Sequence, residues 1–81
     1  MTKMKVLHVI SGIAKSTGTA VFCVELCHFL RSLGVDARIA VMHRDEDDYP
    51  IPVEVPCYVR RSMDDICETF KPDVIHVHGV W

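Results

Sequence analysis

A chain of 81 residues, 49% apolar and 25% charged, suits a small globular core and is not the composition of a disordered or fibrous chain. Its net charge of −2 leaves no basic footprint for nucleic acid and no polybasic patch for an anionic membrane. The uninterrupted apolar stretches are too short to span a bilayer, and the opening MTKMKVLHVI lacks the small-residue cleavage site of a secretion signal.

Residues 5–10 end in the compact run VLHVI, rich in Val and Ile, which predicts a strand covered on both faces as in a parallel sheet. Residues 11–19, SGIAKSTGT, read as a loop, with Thr17 or Thr19 as the cap of the helix that follows. From 20 to 33 the spacing is helical: Phe22, Leu26, Phe29 and Leu33 form a stripe widened by Cys23, Cys27 and Leu30. Gly34 stands where a helix stop is expected, and 35–42 read as a second strand. Strand, turn, amphipathic helix, glycine and strand make a βαβ unit, whose crossover is right-handed and whose strands are parallel.

Residues 43–52 form a loop carrying the acidic cluster Asp45, Glu46, Asp47 and Asp48, read as solvated carboxylates rather than a metal site. Residues 53–59 alternate, but Pro56 makes the strand short or places it at a sheet edge. Ser62 caps a helix that runs through Ile66 and Phe70 to Lys71, and Pro72 ends it. Residues 73–77, DVIHV, read as one more fully apolar strand. The chain is thus α/β with a three-layer, mostly parallel sheet in the order β-α-β-β-α-β. Its four cysteines, Cys23, Cys27, Cys57 and Cys67, read as free thiols of a reducing compartment, because no secretion signal is seen; no pair has C-x-x-C spacing, so no metal site is expected.

In an open parallel sheet, ligands gather at the carboxyl ends of strands where the strand order reverses. Two segments leave such ends: the loop with Gly12, Thr17, Gly18 and Thr19, and the segment from His78 onward. The first is a candidate phosphate cradle, since glycines admit close backbone approach and a helix N-terminus favours an anion. Neither G-x-G-x-x-G nor Walker A is present. His76 and His78 have the H-x-H spacing that can open a metal hydrolase site. The reading preferred for His76 is a core histidine, and for His78 an exposed imidazole able to donate to a bound hydroxyl or phosphate. Trp81 either stacks on a sugar ring or covers the sheet edge, and His8 reads as structural.

MKVLHVISG, the loop after it, VELCHFLRSLGVDARIAV and the closing KPDVIHVHGVW together resemble the N-terminal domain of family-four retaining glycosyltransferases, along essentially the whole chain. The resemblance implies the GT-B fold, two Rossmann-like domains facing across a cleft, with residues 1–81 as an incomplete half of the acceptor-side domain. The C-terminal nucleotide-binding domain, with its paired glutamates, would be absent, and the fragment alone inactive. The implied activity moves a sugar, as a hexosyltransferase does, from a nucleotide-sugar substrate to a glycan or lipid-linked acceptor in cell-surface polysaccharide biosynthesis. No further cofactor is implied. The family's second loop glycine falls on Gly18 and its first on Thr17, a departure. The second histidine of His-x-His falls on His78, which would contact the donor sugar, and Gly79 and Trp81 would lie on the acceptor side. A cytoplasmic location follows, with peripheral association at the inner membrane face and self-association of the fragment as further expectations. The alternative is a non-catalytic α/β binding or interaction module.

Overall fold

The computed structural model describes residues 3–14 and 18–78. Its elements are β1 (Lys5–Ile10), α1 (Gly18–Ser32), β2 (Asp36–Val41), β3 (Cys57–Val59), α2 (Met63–Phe70) and β4 (Val74–Val77), in the expected order. All four strands are parallel and form one sheet ordered β3-β2-β1-β4. β1 therefore pairs with β2 on one side (Lys5 opposite Asp36) and with β4 on the other (His8 opposite His76). The direction of winding reverses between β1 and β4.

Side chains alternate across each strand, so the two faces have separate cores. Ile10, Ala37, Ile39 and Val41 pack with Ala20, Cys23, Val24 and Cys27 of α1, while Leu7 and Ala40 pack with Ile66 and Phe70 of α2. The result is three layers, helix on sheet on helix, compatible with a Rossmann-like fold. Both helix boundaries have local causes. Ser62 accepts a hydrogen bond from the Asp65 N–H at 3.1 Å, and Asp64 and Asp65 favour the positive end of α2. At the other end Lys71 takes the left-handed conformation, so it caps α2 rather than continuing it, directly before Pro72.

Gly34 ends α1 with φ of +88°. The Val35 N–H reaches the Leu30 carbonyl and the Gly34 N–H the Arg31 carbonyl, both at 3.0 Å, the pairing of a Schellman stop. No atom would obstruct a Cβ there, so Gly34→Ala tests the backbone alone. The substitution is expected to cost about 1 kcal/mol, read as a lowered urea midpoint with an unchanged slope.

Four expectations are corrected. The α1 stripe is seated only in part: Phe22, Phe29 and Leu33 are more than half exposed, whereas Cys23 and Cys27, which were expected to widen it, are buried together with Ala20 and Val24. A helix that lies close against a sheet presents its smaller side chains there, and the bulky ones move to the flanks. The strand expected over 53–59 shrinks to Cys57–Val59, because the Val55 N–H turns back to the Pro52 carbonyl at 3.0 Å and Pro56 has no N–H to give. It does lie at a sheet edge, as Pro56 predicts. β4 is apolar but exposed along its whole length, since among the described residues no helix covers it. Asp48 is buried rather than solvated, accepting from the Asp45 N–H at 2.8 Å and from Arg44 at 2.9 Å; the other three acidic residues of the cluster are exposed.

Candidate functional site at the carboxyl edge of the sheet

The exits of β1, β2 and β4 meet at one edge. The Met42 N–H donates to the Ser11 carbonyl at 3.2 Å, and the Tyr49 N–H donates to Ile13 at 2.7 Å, tying the loop after β2 to the loop after β1. Gly12 lies under the His43 imidazole: a Cβ on it would stand 2.8 Å from His43 Nε2. His43 is exposed, so its ring has room to move away from a side chain there. Gly18 is the first residue of α1, exposed, in a first turn without acidic residues, so no carboxylate within that turn offsets the positive end of the helix. Thr19 sits inside that turn and is not its cap. Thr17, Gly79 and Trp81 lie outside the described residues.

The α1 face of the same edge carries three histidines. His8 on β1 stands opposite His76 on β4 in the parallel register. His78 extends the ladder beyond β4, its N–H donating to the Val9 carbonyl at 2.8 Å, so its side chain returns to the face of His8 and His76. The rings of His76 and His78 stack with centroids 4.1 Å apart, and His78 lies 5.0 Å from His8 and 6.0 Å from Phe22 of α1. His8 Nδ1 and His78 Nε2 are 2.8 Å apart, a hydrogen bond in which one ring donates and the other accepts. His8 Nε2 is buried and has no partner among the described residues.

This reverses the expected burial of the His-x-His pair. His78 is 6% exposed, while His76 is exposed, because Phe22 and His8 cover the former and β4 is an edge strand with an open face. His8, at 1% exposure, is the structural histidine expected, but it is also joined to the site. Burial pushes the His8 pKa down to about 4, helped by the nearby His78 and His76 rings, and burial with His76 pushes that of His78 down as well. Both are neutral imidazoles at neutral pH, able to accept a proton, donate one N–H, or bind a metal.

Beneath the rings is Cys23, fully buried on α1, with Cys27 one turn further on. A hydrogen bond between the two thiols lowers the pKa of Cys23 and raises that of Cys27, burial raising the latter further. Ligand atoms of His8, Cys23 and His78 all lie within 4.8 Å of one another. All four cysteines are free, as expected. The participation of His8 and Cys23 escaped the sequence reading. One signal was available: the runs VLHV and VIHV each hold a histidine third, and parallel pairing in register puts the two side by side.

The opposite face holds a different feature, an apolar groove of about 410 Å³ lined by Val9, Ala40, Met42, Met63, Ile75 and Val77. Arg61, the one charged residue lining it among the described residues, is committed to Asp65. Compared with known proteins, the chain matches no family model, no curated protein and no solved structure.

Proposed function

We propose that the chain is the acceptor-side part of a retaining, GT-B glycosyltransferase that moves a sugar from a nucleotide-sugar to a glycan or lipid-linked acceptor. The observation that supports this most is positional. The winding reverses between β1 and β4, and both segments implicated by the resemblance, the Gly12–Gly18 loop and His78, leave the carboxyl ends of those two strands. In this reading the α1 N-terminus, with the N–H of Gly18, faces the donor phosphates. His78, whose Nε2 is engaged by His8, meets the sugar through its other ring nitrogen. His8 is then a positioning residue that fixes the tautomer and orientation of His78.

The chain supplies one wall of a cleft, so residues 1–81 alone are expected to release no nucleotide from a nucleotide-sugar; turnover by the purified chain overturns the reading. The protein from a reading frame that continues into a second Rossmann-like domain is expected to release nucleotide in the presence of acceptor. His78→Ala in that protein is expected to lower kcat/KM about 100-fold, the scale of one lost transition-state donor. Unchanged turnover in His78→Ala removes the role assigned to His78. The alternative, a non-catalytic binding module, draws on a separate observation: Phe22, Phe29, Leu33 and the apolar residues of β4 are exposed. A longer product that shows no turnover and still associates through these side chains favours that module.

A further inference from the structure

We infer that His8, Cys23 and His78 form a binding site for a single divalent ion of the zinc class, held by two imidazoles and one thiolate. The three residues come from three elements: β1, α1 and the position after β4. They are respectively 1%, 0% and 6% exposed, and their ligand atoms lie within 4.8 Å of one another. A tetrahedral ion with bonds near 2.0–2.3 Å needs donor atoms about 3.3–3.6 Å apart. The cluster thus needs about 1 Å of contraction at its widest on binding, while the nitrogens now 2.8 Å apart open slightly.

An independent observation points the same way. His8 Nε2 is a buried polar atom with no partner among the described residues, which is costly unless the ring has a further use. An ion bound at that nitrogen supplies one. If the ion takes the two nitrogens now in contact, the shared proton moves to the other nitrogen of its ring, and both rings bind through lone pairs. If the ion takes Nε2 of His8, the orphan itself becomes the ligand, the proton stays on His8 Nδ1, and the Nε2 lone pair of His78 leaves that proton to bind the ion. In either arrangement the Cys23 thiol gives up its proton to solvent, the thiolate and two neutral imidazoles leave the site with one net positive charge, and the fourth position is open to water. Nitrogen and sulfur donors select zinc and cobalt over magnesium and calcium, which prefer oxygen.

The inference does not rest on glycosyl transfer, although both readings use His78. A His78 held by an ion would present metal-bound water to the cleft instead of a ring N–H.

Cobalt(II) titration of the reduced 81-residue chain tests it. The expected result is saturation at one equivalent, with tetrahedral visible bands and a sulfur-to-cobalt charge-transfer band, displaced by zinc(II) and untouched by magnesium(II). Cys23→Ser is expected to abolish the charge-transfer band, and His8→Gln and His78→Gln to weaken binding at least tenfold, while Cys27→Ser keeps both band and affinity. Absence of the band in the unmodified chain, or its survival in Cys23→Ser, overturns the site. Zinc X-ray absorption on the unmodified chain gives a readout independent of whether the variants fold. A first shell of two imidazoles and one sulfur supports the site, and a shell of several sulfurs, from scavenging by the other cysteines, overturns it.

Discussion

Ile39→Ala is expected to remove about 3–4 kcal/mol of stability, whereas Phe29→Ala is expected to change it by no more than about 0.5 kcal/mol. Ile39 is fully buried on β2, between α1 and the sheet, in the cluster that also holds Ile10, Val24 and Cys27. Its truncation leaves a cavity that the rigid sheet cannot close. A chain of this length has roughly 4–12 kcal/mol of total stability, so the substitution takes a large share of it. Phe29 carries more apolar surface but is 57% exposed, so little burial is lost with its ring. Urea midpoints of the two variants against the unmodified chain decide the matter. A larger loss in Phe29→Ala than in Ile39→Ala would mean that α1 is seated on its bulky stripe.

That comparison bears on why α1 was harder to read than β1. The run KVLHVI has charged flanks and no competing period, and β1 occupies the residues expected of it. For α1, length and the Gly34 stop were legible from spacing, but two apolar stripes compete on one helix. Hydrophobic size favours Phe22, Leu26, Phe29 and Leu33; close packing against a sheet favours Ala20 and Val24 beside Cys23 and Cys27, the two that the spacing already placed on the face. Size is written in single residues, but the distance between layers is not. The histidine pair failed for a related reason. An apolar strand suggested that His76 would be covered and His78 open, yet coverage depends on what packs beside the strand. β4 lies at an edge, and His78 is enclosed by side chains from β1 and α1 that are 50–70 residues away in sequence. What the residue pattern did carry was the element order and the parallel pairing, from which the reversal of winding between the first and last strands follows.

Acidification is expected to destabilise the metal-free chain by about 3 kcal/mol between pH 6.5 and pH 4 through His8 alone. In the unfolded chain His8 titrates near 6.5; in the fold its pKa falls to about 4, through burial first and then through His78 and His76. Between those values the unfolded state holds a proton that the native state refuses, so stability rises with pH across the window. The contribution is complete above 6.5, is lost as pH falls toward 4, and stays lost once the native ring is also protonated. His78, shifted in the same direction, adds to the slope. The groups facing His8 are the rings of His76 and His78 from the β4 side and the Cys23 thiol from α1, none of which offers a negative charge to an imidazolium while the thiol is protonated. Urea midpoints at pH 7, 5.5 and 4.5, with chelator present, measure the effect. Carboxylates also titrate near the acid end, so the informative quantity is the difference from His8→Gln, a side chain uncharged at every pH. The unmodified chain is expected to lose midpoint steeply below pH 6.5, and the variant is expected to show a shallower slope over the same range. Parallel slopes in the two chains would mean that His8 accepts its proton inside the fold as readily as in water, and that the imidazole cluster is open to solvent rather than enclosed by α1.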